Sequence, residues 1–232
     1  MANPCHLVEQ CVHKGLLYLA ESLQYYWPAN FAVLNGVQQG YLNEIAENNI
    51  ALHLAHSFAE KGFQVWAEVP LKEENRQIDF FAYNYPEGIT VALEFKKSIE
   101  TPQGNYEDLK RLVDIHENGV CNAEHRFNNQ SLSRAEPKEM YGVVTLLSAE
   151  EFADWWKHPK NGDYTPNGRS ARDYRRIGKA IDVSGYRFVV PLVEYFCSAK
   201  STGDKYRFRR AAYALYRECD MENLKEVLLE NP

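Results

Sequence analysis

Residues 91–100 read "VALEFKKSIE", a stretch that sets a carboxylate and an ammonium two residues apart inside an apolar run typical of a buried strand. Side chains two apart on a strand point to the same face, about 6.6 Å from each other. Glu94 and Lys96 therefore project together, while Leu93 and Phe95 pack the other face. A buried sheet face that carries two charges needs a chemical reason.

Three runs with strand character, separated by short polar or Pro/Gly turns, predict a meander over residues 63–71, 77–83 and 89–95. Asp79 lies in the second run, so pairing of the last two runs as a hairpin brings its carboxylate towards Glu94. Two carboxylates that close repel each other unless a cation lies between them. An Asp, a Glu and a main-chain carbonyl suit Mg²⁺ or Mn²⁺, and a neighbouring Lys can orient or deprotonate an attacking water.

Helical periodicity surrounds the meander. It predicts an accessory helix over residues 5–27, a helix from an N-cap at Asn43 to Gly62, and a helix over residues 105–119. A short buried strand over residues 140–147 and another helix follow. The order is helix, three strands, helix, strand, helix, with no internal repeat.

This arrangement resembles the PD-(D/E)XK nuclease superfamily, whose pattern is an acidic residue on one strand, then Glu or Asp, one apolar residue and Lys on the next. Here these are Asp79, Glu94, Phe95 and Lys96. The resemblance covers roughly residues 43–147 in αβββαβ order. It implies an α/β, restriction-endonuclease-like core with a mixed central sheet flanked by helices. Ile78 replaces the proline of the pattern, as in many members.

The resemblance also implies roles. Asp79, Glu94 and the Phe95 carbonyl would hold Mg²⁺ or Mn²⁺, and Lys96 would assist the nucleophile. Members commonly add a Glu on the helix before the sheet, and Glu47 shares a helical stripe with apolar residues there. Glu47 is therefore expected to bind the metal or to orient the attacking water.

Structural roles remain open for the same residues. Glu94 and Lys96 can form an ion pair on a solvated sheet face, and Lys97 points to the opposite face. Glu44, the second choice to Glu47, and Glu47 itself can instead favour the positive end of a helix. Glu68 lines the same cleft or is an exposed carboxylate at a strand end.

The net charge of -6 hides a basic segment, because residues 157–217 carry 14 Lys and Arg against 5 Asp and Glu. Arg and Lys alternate there with Tyr and Phe, which suits contacts to phosphates and bases. We expect Arg175, Arg176, Arg209 and Arg210 to bind nucleic acid. The alternative is a C-terminal β-hairpin over residues 186–217 that simply carries arginines on its wet side.

The length and composition of the chain limit the number of domains it can form. The 232 residues, 45% of them hydrophobic, suit one domain. We divide it into a helical accessory segment (1–42), a nuclease-like core (43–156) and a basic, aromatic extension packed on the same domain (157–232). No apolar run would span a membrane and no secretory signal is evident, so a soluble, cytoplasmic protein is expected. Five scattered cysteines favour neither disulfides nor zinc.

The sequence thus predicts a metal-dependent nuclease that hydrolyses phosphodiester bonds in DNA, in defence, restriction or repair. Two alternatives stay open: a catalytically inactive nuclease-fold module that binds nucleic acid or protein, and an RNA-directed nuclease. The expected partner is nucleic acid, most simply DNA, and a homodimer is left open.

Overall fold

A computed structural model describes residues 4–25, 47–71, 77–96, 102–119, 138–147, 150–159, 171–198 and 205–229. The predictions for Glu44 and Lys97 fall outside these ranges.

The structure alternates helices and strands much as the periodicity predicts. The helices are α1 (Pro4–Tyr25), α2 (Glu47–Ala59), α3 (Pro102–Asn118), α4 (Glu150–Lys157), α5 (Ala171–Val183) and α6 (Met221–Leu229). The strands are β1 (Gln64–Pro70), β2 (Gln77–Asn84), β3 (Ile89–Lys96), β4 (Lys138–Leu147), β5 (Tyr186–Ser198) and β6 (Lys205–Arg217). None of the helices in these ranges is long and apolar enough to cross a membrane.

The strands form one mixed six-stranded sheet in the order β1-β2-β3-β4-β6-β5. The meander prediction is confirmed, because β1, β2 and β3 pair antiparallel in sequence. Strand β4 then lies parallel to β3, with Glu94 beside Val143 and Lys96 beside Thr145. The predicted C-terminal hairpin is also present, and its second strand, β6, inserts between β4 and β5.

Helices cover both faces of this sheet. On one face α1 and α2 pack against Leu93 and Phe95 of β3. On the other, α3, α4, α5 and α6 pack against Ala92, Tyr141 and neighbouring residues. Since strand side chains alternate between faces, Glu94 and Lys96 point towards α3, as the sequence pattern indicates.

The α1 and α2 helices approach each other closely at Gly15. A Cβ atom at Gly15 would lie 2.8 Å from the Leu54 Cα, so only glycine fits without moving one helix. The predicted stop of α2 at Gly62 is also confirmed, because Gly62 has a φ of 81° and the Phe63 N–H donates to the Phe58 carbonyl at 3.1 Å.

We predict that Gly15→Ala destabilises the protein, although alanine normally favours a helix by about 1 kcal/mol over glycine. The added methyl group meets backbone rather than a flexible side chain, and overpacking of this kind costs about 1–3 kcal/mol. Urea unfolding measures the change. Gly185→Ala is the control, since a Cβ there meets nothing within 4 Å. An unchanged or raised stability of Gly15→Ala would contradict the packing described.

Candidate active site

Strands β2 and β3 separate at Asp79. The described β2–β3 ladder ends at the pair Phe80 and Leu93. Beyond it the Asp79 side chain replaces the main chain, because its Oδ2 accepts a 2.7 Å hydrogen bond from the Phe95 N–H. The N–H and C=O of one strand residue point to the same edge, so the Phe95 carbonyl also faces this gap.

Glu94 places a carboxylate inside the protein next to the gap. The residue is 1% exposed, and its Oε2 lies 2.8 Å from Nη1 of Arg111 on α3. Its Oε1 is buried and has no hydrogen-bond partner in the described part of the chain. Burial first, and then the nearby Asp79 carboxylate, raise the pKa of Glu94 well above its ordinary value, against the opposing effect of Arg111.

Helix α3 completes the charged cluster. The Asp108 side chain is 2% exposed, and its Oδ2 lies 3.1 Å from Nζ of Lys96. Its Oδ1 lies 3.3 Å from Nη2 of Arg111. Lys96, Asp108, Arg111 and Glu94 thus form a four-residue ion chain in which α3 links the two charged residues of β3. Burial raises the pKa of Asp108 to about 6, although Lys96 and Arg111 both lower it.

Helical periodicity predicted a helix over residues 105–119, but Asp108 and Arg111 were not assigned to the site. The spacing of residues along this helix could have indicated that Asp108 is buried. Asn105, Asp108, Leu112 and Ile115 recur at the three- and four-residue spacing of one helical face, and all four are buried. An Asp on such a stripe needs a cation, and Arg111 lies one turn away.

Glu47 and Glu68 are the other carboxylates expected near the cleft. Glu47 is the first residue of α2, and its side chain lies outside the described part, so its role stays a prediction. Glu68 is exposed and has a φ of 52°, an unusual value for a residue with a side chain. It lies opposite Asp79, since the residues flanking both positions are paired across β1 and β2.

The basic segment is split between α5 and β6. Arg175 is exposed on α5. Arg176 is partly buried, where its guanidinium lies 4.2 Å from the ring centroid of Tyr106 on α3 and donates to the Leu228 carbonyl on α6. Arg176 therefore ties three helices together, whatever else it contacts. The side chain of Arg209 lies outside the described part, so that prediction remains untested.

Arg210 lies on the Lys96 side of the sheet. Its β6 position pairs with Leu147, two residues beyond the partner of Lys96 on β4. The alternation of β6 puts Arg210 on the same face as Ala212 and Ala214, which pack on the α3 side. Two strand spacings, about 10 Å, separate β6 from β3. A cation thus stands on the same face and at the same end of the sheet as the candidate site.

Within the described ranges, no three His, Cys, Asp or Glu side chains converge as a metal-ligand group. Comparison with known proteins adds no relative: no protein-family model, no curated protein and no solved structure matches the chain.

We predict that Asp108 makes stability fall as pH rises through the weakly acidic range. Its pKa rises from 3.8 in the unfolded chain to about 6 in the folded protein, so the folded state holds the proton to higher pH. This stabilisation is fully present below the unfolded-state pKa of 3.8, and it is lost as the pH rises through the folded-state pKa of about 6. In Asp108→Asn that fall should shrink, as measured by urea unfolding at intervals between about pH 4 and pH 7.

The control for this experiment is Glu117→Gln, which removes an exposed carboxylate of α3 paired with Lys225. It should leave the pH dependence close to that of the wild type. Parallel stability curves for the wild type and Asp108→Asn would contradict the burial of an ionisable Asp108.

Proposed function

We propose that this protein is a divalent-metal-dependent nuclease with a restriction-endonuclease-like core, hydrolysing phosphodiester bonds in DNA. The observation that carries the proposal is the junction at the end of the β2–β3 ladder. There the Asp79 carboxylate caps the Phe95 N–H, the Glu94 carboxylate lies buried beside it, and Lys96 follows on the same face as Glu94. Ordinary sheet packing has no need for two carboxylates at such a point.

The residues at this junction fit Mg²⁺ or Mn²⁺. The buried Glu94 Oε1 receives no hydrogen bond from a donor group among the described residues, and the Asp79 carboxylate lies nearby, so a proton or a cation is needed there. Carboxylate and main-chain oxygens are the ligands that hard divalent cations prefer. Asp79, Glu94 and the Phe95 carbonyl would hold the ion, with Glu47 as a further candidate. When bound, the cation would supply Lewis-acid stabilisation of charge on the phosphate.

The proposed reaction is hydrolysis. A water oxygen forms a bond to phosphorus, the bond from phosphorus to one ester oxygen breaks, and the products are a phosphate monoester and a hydroxyl group. The water gives up a proton, and the departing oxygen takes one from solvent. Lys96 orients the attacking water and offsets the negative charge that develops on the phosphate.

We predict that Asp79→Asn and Glu94→Gln lose cleavage and bind Mn²⁺ more than about 100-fold more weakly, since even an outer partner of a metal ligand contributes up to that factor. Lys96→Ala should lose cleavage yet keep Mn²⁺ affinity, because it removes no ligand. Calorimetric Mn²⁺ titration and digestion of single-stranded DNA, duplex DNA and RNA, each with Mg²⁺, Mn²⁺ or EDTA, measure both effects.

Two exposed residues serve as controls. Glu87→Gln changes a carboxylate in the β2–β3 turn, and Lys110→Ala changes a lysine on the outer side of α3. Both should cleave like the wild type. A wild type that shows no cleavage with any metal and no Mn²⁺ binding would refute the proposed activity.

The basic residues support DNA as the substrate, because Arg210 stands on the same face and end of the sheet as Lys96. We predict that Arg175→Ala and Arg210→Ala weaken DNA binding and each lower the slope of log affinity against log salt by about one. Fluorescence anisotropy over a salt series measures the slope. Arg176→Ala should also lower the melting temperature, since its guanidinium packs on Tyr106. Salt slopes equal to that of the wild type would exclude phosphate contacts by Arg175 and Arg210.

A second candidate function, a nuclease-fold module without catalysis, is favoured by one observation. Arg111 and Lys96 already lie against Glu94 and Asp108, so the cluster can neutralise itself without a metal. In that case DNA binds and is not cut, and Glu94→Gln lowers stability while Mn²⁺ leaves the melting temperature unchanged. The digestion and titration experiments separate the two functions.

A further inference from the structure

We propose that Asp108 is the positioning residue for Lys96, holding its ammonium in place for the reaction. The inference rests on the proposed nuclease function and deepens it, because it assigns a task to a residue outside the Asp79, Glu94 and Lys96 pattern. It is carried by one contact, the 3.1 Å approach of Asp108 Oδ2 to Lys96 Nζ.

The contact is asymmetric in burial. Asp108 has a side-chain exposure of 2%, whereas Lys96 has 26%, so the carboxylate lies inside the protein and the lysine side chain is partly exposed to solvent. Burying a carboxylate carries a large desolvation penalty, and an ion pair seldom returns more than this penalty. Stability alone therefore gives little reason for Asp108 at this position, and placement of a cation gives a specific one.

Asp108 is itself held rigidly. Its second oxygen lies 3.3 Å from Arg111, whose other nitrogen binds Glu94. Both neighbouring turns of α3 are anchored by the fully buried Leu109 and Leu112. Arg111 thus holds Asp108 at a fixed distance from Glu94. Because Lys96 contacts Asp108, its ammonium is held at a fixed position relative to the Glu94 carboxylate as well.

Lysine needs such a partner more than most residues. It has four rotatable bonds and a strongly hydrated point charge, so an unrestrained Lys96 at the end of β3 samples many positions. A displacement of about 1 Å from the reactive geometry can reduce a rate about 100-fold. A fixed carboxylate removes most of that freedom before substrate arrives.

The test is Asp108→Asn in the full chain, with Asp108→Glu as a second variant that keeps the buried charge and moves it by one methylene group. We expect Asp108→Asn to lower kcat by about 10- to 100-fold, with KM for duplex DNA and Mn²⁺ affinity within about twofold of wild type. The kcat of Asp108→Glu should lie between the kcat of the wild type and that of Asp108→Asn. Glu117→Gln, which breaks another ion pair of α3, should leave kcat unchanged.

A spectroscopic readout accompanies the kinetics. The ammonium signal of Lys96 in a proton–nitrogen correlation spectrum, assigned by its loss in Lys96→Arg, should move in Asp108→Asn and stay in Glu117→Gln, both without metal. A merely structural Asp108 would not produce a loss confined to kcat together with this shift.

The outcomes separate the inference from the function on which it rests. If the wild type cleaves and a folded Asp108→Asn keeps its kcat, the positioning role is overturned while the nuclease stands. If Asp108→Asn does not fold, the role is overturned by an Asp108→Glu protein that is fully active and has an unmoved Lys96 signal. If the wild type cleaves no nucleic acid, the proposed function falls, and the positioning role with it.

Discussion

A carboxylate buried within a sheet is the constraint on which the rest of this structure depends. Glu94 is 1% exposed. A carboxylate removed from water is stable only when it is protonated, paired with a cation or bound by hydrogen-bond donors. Arg111 on α3 supplies a cation 2.8 Å from the Glu94 Oε2, while the neighbouring Asp79 carboxylate accepts from the Phe95 N–H. Helix α3 therefore has to lie over β3 in one register, with Asp108 and Arg111 facing inward.

The two faces of the sheet differ in the side chains that they bury. The face under α1 and α2 carries an apolar cluster that includes Phe80, Leu93 and Phe95, together with the buried Asn84, which donates to the Lys61 carbonyl. The opposite face is apolar under α4 and α5 but carries the ion chain at the end of β3. Packing thus fixes the strands from one side, while charged side chains gather at one end of the other, where the strand ladder stops. This separation lets the protein keep an apolar core and a charged cluster on a single sheet.

The sequence predicted the parts of the fold that follow from local periodicity. The meander, the β5–β6 hairpin and the stop of α2 at Gly62 each depend on residues close together in the chain. The insertion of β6 between β4 and β5 was not predictable, because no local pattern reports which strands pair across the chain. Within the site, alternation along β3 brought Glu94 and Lys96 together, whereas Asp108 needs the docking of α3, a tertiary event.

The strand order also determines when each strand can pair as the chain is synthesised and folds. One edge of β4 is closed by β3, which precedes it, but the other edge waits for β6, and residues 148–204 lie between. Strand β5 is made earlier yet pairs only with β6. During synthesis, one edge of β4 therefore stays unpaired until β6 has emerged, and unpaired strand edges favour pairing with other chains. The sheet is therefore completed only when β6 is available, since β6 joins β4 to β5.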